Sequence, residues 1–388
     1  MNLASDHLEN PTYTLITDSK RLPSLVEQWQ KASFLAIDTE FIRTHTFLAE
    51  PGLIQIADHS GVYLLDPVAL KDLSILIPVL ENPNIIKIMH SMSEDVGLLF
   101  HSVGAQIKRV FDTQIAAAFL GIAVSPGYQN LVLDVLNVEL DKGETRSDWL
   151  KRPLTKSQLH YAALDVIYLL KLFHILKPKL EEAGFLDALF EETGFLIEQV
   201  ISAWQQPESA YLKLRGAWDL PKSSQSLLQA LVIWRDETAL QENIPKPWVF
   251  NDASLIEIAA LKPKNVIELK RVKDLQSKSY RQFSERLIAV VNAFEYNEES
   301  DLQLVDAPVK GDELVMYRKL KSVIASVSKE TGIPAQLLGS RKMLESLVIH
   351  CHRNNNRDFT PEFTGWRKTL LGLRFSKVLF GDVLFGDN

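Results

Sequence analysis

The stretch FLAIDTEF, residues 34–41, places two carboxylates directly after a short apolar run. Residues 34–37 predict a buried β-strand that ends in Asp38 and Glu40. Side chains alternate along a strand, so both carboxylates should point to the same face. Like charges at the end of a buried strand are costly to desolvate, and we expect a cation between them. Taken alone, a D-x-E pair is common by chance and is most often a solvated strand end.

The surrounding sequence predicts the fold class. Over the first 120 residues, short β-rich runs alternate with amphipathic stretches, which indicates a mixed α/β sheet domain. The runs LIQIAD (53–58) and VYLLD (62–66) are separated by a His-Ser-Gly turn, which predicts an antiparallel hairpin. From about Thr155 onward, apolar residues recur every three or four positions. We therefore expect an α/β domain followed by all-α helical domains.

A second group of acidic residues lies in IIKIMHSMSEDVGLLF, residues 85–100. A strand should end near His90 and lead into a helix whose first turn contains Glu94 and Asp95. Adjacent residues cannot both face the same way, so we assign Asp95 as a metal ligand and Glu94 as a solvent-facing cap. Acidic residues in a first helical turn are commonly caps only. A histidine at a strand end is more often structural than part of a substrate site.

The third element is HYAALDVIYLLKLF, residues 160–173, which is strongly helical in pattern. Tyr161 and Asp165 are four residues apart and therefore share one face of the helix. An aspartate within such an apolar run needs a buried partner, and the phenol one turn away can hold a water molecule. A structural Tyr–Asp hydrogen bond would explain this element equally well if it stood alone.

Together the three elements supply four carboxylates and a tyrosine, which is what a two-metal site needs. Two divalent ions, Mg²⁺ or Mn²⁺, about 4 Å apart could bridge a scissile phosphate, since both ions prefer oxygen ligands. The tyrosine would orient the attacking water or help to deprotonate it. The predicted catalytic residues are Asp38, Glu40, Asp95, Tyr161 and Asp165, of which the four acids are the predicted metal ligands.

These three stretches, in this order, resemble the DEDD exonucleases of the tyrosine-bearing subclass, and within them ribonuclease D. The segments FDTQIAAAFLG (111–121) and RSDWLKRPL (146–154) are also similar to that family. The resemblance implies a ribonuclease H-like fold and hydrolysis of RNA from the 3′ end to 5′-mononucleotides, chiefly in trimming tRNA precursors. It also implies the same four acids as metal ligands and the same tyrosine as the residue that positions water.

The helical part resembles the HRDC domains found in ribonuclease D and some helicases. Residues 213–294 look like one copy, and residues 310–388 look like a second, more divergent one. The polar, acidic stretch YNEESDLQLVDAP (296–308) lies between them and suits an exposed linker. We predict an exonuclease domain over 1–205, followed by helical domains over 213–294 and 310–388.

The distribution of charge along the chain indicates whether nucleic acid could be a binding partner. The net charge of −7 by itself argues against nucleic acid, yet residues 1–200 hold 16 Lys and Arg against 26 Asp and Glu, whereas residues 201–388 hold 26 against 23. Basic side chains of the helical part can contact RNA phosphates, with Trp248 and Tyr280 as possible stacking surfaces, although each aromatic alone is more often core. The candidate RNA-binding residues are Lys151, Arg152, Lys262, Lys264, Lys270, Arg271 and Lys273.

The sequence lacks the motifs that are typical of several other protein classes. The chain contains no GxxxxGK[ST], GxGxxG, HExxH or GxSxG motif, and its single cysteine, Cys351, excludes an intrachain disulfide. The longest apolar stretch, residues 115–124, is about half of the ~20 residues that a membrane-spanning helix needs. The N-terminus has no signal-peptide pattern. We therefore expect a cytoplasmic protein without a membrane or an obligatory protein partner.

Two alternatives to an exoribonuclease remain open from the sequence. One keeps the chemistry and changes the substrate to DNA, as in Werner-type exonucleases. The other is a non-catalytic RNA-binding protein that retains the fold. The five intact positions of the predicted site argue against the second alternative, because a site that is no longer selected should lose a ligand.

Overall fold

The sheet of the first domain is mixed. A computed structural model describes residues 11–140 and 143–381 of the chain. The strand order is β1-β4-β3-β2-β5-β6; β3 runs antiparallel to both β2 and β4, and the other neighbours are parallel. The predicted hairpin is thus confirmed as β3 and β4. The strands are β1 Thr14–Ile16, β2 Phe34–Ile42, β3 Glu50–Ala57, β4 Val62–Leu65, β5 Ile86–Met89 and β6 Val110–Asp112.

Helices flank the sheet and predominate in the described residues that follow it, which confirms the predicted fold class. In the first domain they are α1 Leu22–Gln30, α2 Pro67–Leu70, α3 Ile77–Leu80, α4 Ser93–Ser102, α5 Thr113–Phe119, α6 Tyr128–Leu136, α7 Lys156–Ala183 and α8 Leu186–Gln205. The later helices are α9 Lys222–Gln241, α10 Lys246–Val249, α11 Asp252–Leu261, α12 Val266–Leu269, α13 Ser277–Ala293, α14 Asp312–Thr331, α15 Ala335–Leu338, α16 Arg341–Val348 and α17 Gly365–Phe380.

Strand β2 is the central strand that carries the D-x-E pair. Its apolar residues Leu35, Ala36 and Ile37 are completely buried, as the sequence predicts. The pairing of β2 with β3 shifts register between Glu40 and Phe41, which is the position of a β-bulge. A bulge increases local twist and changes the direction of the next side chains, and it lies here directly after the second carboxylate.

Helix α7 packs across the sheet and contributes twelve buried residues to the first domain. It begins with a capping box in which the side chains of Thr155 and Gln158 satisfy each other's backbone N–H groups, and it ends at Gly184 in the left-handed conformation. By length and composition alone α7 could cross a membrane. In the structure, however, α7 is a core helix, because Ala162, Val166 and Leu169 are buried against the sheet.

The described residues form two compact units that do not follow chain order. The first contains the described residues before Arg43, those from Glu50 to Val200, and those from Val309 onward. The second contains Arg43–Ala49 and Ile201–Pro308. The C-terminal helical region therefore belongs to the same unit as the sheet, whereas the connection between β2 and β3 belongs to the unit of the first helical domain. The domain boundaries drawn from the sequence stay predictions.

Within the first unit, the C-terminal helices share a core with the exonuclease domain. The rings of Phe119 and Trp366 lie 4.9 Å apart, edge to face. The guanidinium of Arg367 forms an ion pair with the buried carboxylate of Glu192 at 2.6 Å. Apolar packing thus joins α5 to α17, and a paired charge joins α8 to α17.

Within the second unit, the segment 43–49 is held by Phe47. This side chain is 7% exposed and belongs to the same hydrophobic cluster as the helices of that unit. Its backbone N–H donates to Asn243 Oδ1 at 3.1 Å, and its ring lies 5.6 Å from that of Trp204. The segment is therefore part of the core of this unit.

Candidate active site

Three predicted acids come together where β2 passes under α7. Asp38 and Glu40 lie on the face of β2 that looks toward α7, and Asp165 comes from that helix. One carboxylate oxygen from each residue lies within 4.8 Å of the others. The period-two pattern of the strand and the apolar pattern of the helix therefore bring side chains more than 120 residues apart in sequence into one cluster.

The electrostatics of this cluster are unfavourable without a cation. Burial, followed by the charge of Asp165, raises the pKa of Asp38 above its usual value. Burial is also the main reason why the pKa of Glu40 is raised, and the charges of Asp38, Asp165 and Asp95 add to it. Burial raises the pKa of Asp165 as well. No lysine or arginine among the described residues contributes to these shifts, so that part of the chain supplies no counter-charge.

Asp95 lies beside this cluster, in the first turn of α4. It is buried, and its carboxylate accepts a hydrogen bond from the hydroxyl of Thr39. Burial and then the charge of Asp38 raise its pKa. Asp95 lines the same cleft as the other acids but is outside the group whose oxygens lie within 4.8 Å. Its neighbour Glu94 is exposed, as the sequence predicts.

Tyr161 is positioned by hydrogen bonds. Its hydroxyl donates to Asp165 one turn along α7, and its oxygen accepts a hydrogen bond from the side chain of Thr145. Its ring lies 6.2 Å from the buried ring of Trp149. Burial and the neighbouring carboxylates raise the pKa of Tyr161, so the phenol keeps its proton and acts as a donor.

The acids open into a cleft of about 400 Å³. His90 forms part of its wall, but both ring nitrogens are already engaged, Nδ1 with Thr113 Oγ1 at 2.9 Å and Nε2 with the carbonyl of Pro126 at 3.1 Å. These contacts favour a structural role. Burial lowers the pKa of His90.

Tyr128 is a cleft residue that sequence reasoning missed. Its hydroxyl donates to the backbone carbonyl of Asp165, and its ring lies 5.2 Å from that of His90. Nothing in the local pattern of α6 distinguishes this tyrosine from an ordinary core residue. Phe41 and Leu169 also line the cleft and were missed for the same reason.

The donor set fits hard divalent cations. All the ligand atoms offered are carboxylate oxygens, which Mg²⁺ and Mn²⁺ prefer. The three acids are largely buried and lie close enough to share an ion, and the part of the chain that the structure describes gives them no basic partner. A buried group of like charges is stable only when an ion or protons neutralise it.

The two basic candidates in the first domain, Lys151 and Arg152, have different environments. Lys151 is exposed. The guanidinium of Arg152 donates to both carboxylate oxygens of Asp66, at 2.7 and 2.8 Å, and to the carbonyls of Trp149 and Gly52, each at 2.7 Å. Its donors are occupied, which favours a structural role over the predicted phosphate contact.

The remaining basic candidates belong to the second unit. Lys262 donates to Ser223 Oγ at 3.1 Å and is half-buried. Trp248 is 37% exposed, and the Nζ of Lys278 lies 4.8 Å from the centre of its ring. The hydroxyl of Tyr280 donates to a backbone carbonyl, which suits a structural residue. The side chains exposed to solvent are Lys264, Lys270, Arg271 and Lys273.

Comparison with known families divides the chain into three parts. A family described as a 3′–5′ exonuclease matches residues 13–181. The HRDC domain family matches residues 224–291, and the C-terminal HRDC domain of ribonuclease D matches residues 315–375. The exonuclease match contains all five predicted catalytic residues.

Curated relatives cover nearly the whole chain. Ribonuclease D of Shewanella sp. is 34% identical over 94% of this chain and 94% of its own length. Ribonuclease D of Escherichia coli K12 is 33% identical over 95% of this chain and 98% of its own. The crystal structure of Escherichia coli RNase D, described as an exoribonuclease involved in structured RNA processing, matches with a TM-score of 0.86 at 31% identity, covering 95% of this chain and 98% of that one. The chain therefore belongs to the ribonuclease D family and is a 3′→5′ exoribonuclease.

Proposed function

We propose that the enzyme hydrolyses the 3′-terminal phosphodiester bond of RNA by a two-metal mechanism and trims 3′ extensions of tRNA precursors. The observation that carries this proposal is the cluster of three acids whose oxygens lie within 4.8 Å of one another without a basic partner among the described residues. Asp38, Glu40 and Asp165 would hold the ions, and Asp95 would complete the ligand set from α4.

The residues of the chain orient the reaction. Bound divalent ions would lower the pKa of the attacking water and neutralise charge on the phosphate. Tyr161, whose hydroxyl donates to Asp165, would accept a hydrogen bond from that water and fix its approach to phosphorus. A phosphorus–oxygen bond to water forms while the bond to the 3′ oxygen of the preceding nucleotide breaks. That oxygen gains a proton, the water loses one to solvent, and a 5′-mononucleotide is released.

RNA would be held by basic side chains of the first helical domain. The exposed candidates Lys264, Lys270, Arg271 and Lys273, together with the half-buried Lys262, lie close together in sequence. Contacts of this kind go to phosphates, are independent of base sequence and weaken as salt increases. Lys151 is a further exposed candidate near the catalytic residues in sequence.

Product analysis on a tRNA precursor with a 3′ extension tests the proposal. We expect 5′-mononucleotides in the presence of Mg²⁺ or Mn²⁺ and an end point near the mature 3′ end. A DNA strand of matched sequence serves as the control for the Werner-type alternative. Full activity in excess EDTA would contradict metal dependence, and faster turnover of the DNA strand would contradict RNA as the substrate. We place this activity in the cytoplasm.

A further inference from the structure

Gln55 is a buried amide without hydrogen-bond partners. It lies in β3, is 0% exposed, and neither its Oε1 nor its Nε2 has a partner. Among the described residues it is the one side chain with two unpartnered buried polar atoms. Leaving a buried polar group unsatisfied is destabilising, and native proteins rarely retain such groups without a reason.

The sheet register places this amide beside a predicted metal ligand. Gln55 is the direct antiparallel partner of Asp38. Residues directly opposite each other on antiparallel strands point to the same face, with Cβ atoms about 4.5–5.5 Å apart. The amide is therefore a nearest neighbour of the Asp38 carboxylate within the sheet.

The surroundings of Gln55 show which side of the sheet it faces. Leu53 and Ala57 flank it on β3, and Leu64 opposes it on β4. All three are completely buried in the core cluster that contains Ala162 of α7. Gln55 thus lies in the layer between the sheet and α7, which is the helix that supplies the third carboxylate and the tyrosine.

We propose that Gln55 is a positioning residue for Asp38, an inference that rests on the proposed metal site. When Asp38 is ionised and holds a cation, the amide donates an N–H to the carboxylate oxygen that faces away from the ion. Only the amide orientation that directs Nε2 toward Asp38 is attractive, because Oε1 would oppose a second oxygen. The donor fixes the orientation of the ligand, as partners of metal ligands commonly do.

The test replaces the amide with an apolar side chain of nearly the same shape. Gln55→Met should weaken binding of Mn²⁺ to the full-length protein, measured by isothermal titration calorimetry, by about 10–100-fold. The melting temperature in EDTA should stay unchanged or rise, because the unsatisfied amide has been removed. With RNA, kcat should fall while KM stays the same.

Two further variants complete the design. Leu64→Met, on the opposite side of Gln55, is a matched control that changes the same core layer and should leave Mn²⁺ affinity at the wild-type value. Gln55→Leu is a second apolar replacement in case the methionine side chain disturbs packing. Agreement between the two Gln55 variants in weakened affinity, with retained stability in EDTA, supports the proposal.

The outcomes separate this proposal from the proposed function. Wild-type Mn²⁺ affinity in Gln55→Met, or a loss of stability in EDTA with unchanged affinity, would show a structural role and overturn it. Unfolding of both Gln55 variants in EDTA would overturn it as well. If the wild-type protein binds no divalent ion, the metal site itself fails, and the role of Gln55 fails with it for that distinct reason.

Discussion

Glu192 and Asp165 are both buried carboxylates on long helices of the first unit, and they differ in what surrounds them. The two oxygens of Glu192 accept from Arg367 at 2.6 and 2.8 Å, and Trp366 Nε1 donates to it at 3.2 Å. Asp165 instead lies beside other carboxylates and receives a hydrogen bond from a neutral phenol. Among the described residues, a counter-charge is present where a carboxylate joins two helices and absent where the exonuclease fold implies a divalent cation.

The two environments differ in the free-energy cost of burying a carboxylate. A buried ion pair with good geometry roughly offsets the desolvation of its members, whereas an unpaired buried charge costs several kcal/mol. Burial raises the pKa values of the catalytic acids. In the absence of metal, these acids can therefore take up protons and avoid that cost. Four predictions follow from the difference between the two environments, the first with the largest expected effect.

Removing one acid from the catalytic cluster should abolish activity while relieving repulsion. Asp165→Asn should reduce exonuclease activity by more than about 100-fold, because loss of a ligand is more damaging than loss of a ligand's partner. Stability in EDTA should rise, as measured by urea unfolding, because a buried asparagine needs neither a cation nor a proton to be neutral. Asp134→Asn, at an exposed position of α6, is the control and should change neither quantity. Activity close to wild type in Asp165→Asn would contradict the proposed site.

Removing the counter-charge from the paired carboxylate should have the opposite effect on stability. Arg367→Met leaves Glu192 buried and unpaired, which should cost about 3–5 kcal/mol in the free energy of unfolding. The double variant Glu192→Leu with Arg367→Met should recover most of this loss, because both charges are gone. A cost below about 1 kcal/mol in the single variant would show that water reaches the pair.

The tyrosine of the catalytic site should affect the reaction rate but not the cluster itself. Tyr161→Phe removes the hydroxyl that orients water and should lower kcat by about 100-fold at unchanged Mn²⁺ affinity. Tyr168→Phe, further along the same helix, is the matched control and should leave kcat unaltered. An unaffected kcat in Tyr161→Phe would remove the hydroxyl from the mechanism.

Lys87 is a buried basic residue for which the described residues offer no acidic partner, the reverse of the catalytic cluster. It is 0% exposed, and burial, followed by the charge of Arg109, lowers its pKa to about 7. Between that pKa and the usual value near 10.4, the unfolded chain binds a proton that the folded chain does not, so stability should rise with pH by up to about 1.4 kcal/mol per unit. Below pH 7 both states are protonated and this contribution is flat.

The variant Lys87→Met tests this dependence. The difference in unfolding free energy between Lys87→Met and the wild type should be largest below pH 7 and shrink as pH rises toward 10, measured by urea unfolding. The slope of that difference isolates Lys87 from other groups that titrate in the same range. A difference that does not change with pH would show that Lys87 stays charged in the folded protein.

Much of the site could be predicted from the sequence because each part of it has a local pattern. The two carboxylates of β2 follow an apolar strand, and Asp165 interrupts an apolar helix. These patterns are short and obey the period of the strand or the helix. The predicted fold class and the resemblance to ribonuclease D are confirmed for the same reason.

Other features could not be predicted, because they depend on pairs that are distant in sequence. Arg152 looked like a phosphate contact until folding placed it against Asp66, 86 residues away. The pair of Glu192 and Arg367 spans 175 residues. The periodicity of strands and helices does not identify such partners. An isolated basic residue looks the same in the sequence whether it binds RNA or pairs with a buried acid.

The sequence by itself determined which residues are acids, which elements carry them and which family the chain resembles. Only the tertiary structure decided that three of the predicted ligands lie within reach of one ion while Asp95 is held by Thr39 beside them. It also decided that Gln55 opposes Asp38 and that the C-terminal helices share a core with the exonuclease domain. The physical reason is that periodicity fixes the face on which a side chain lies, whereas the charges and donors it meets are fixed only by packing between distant segments.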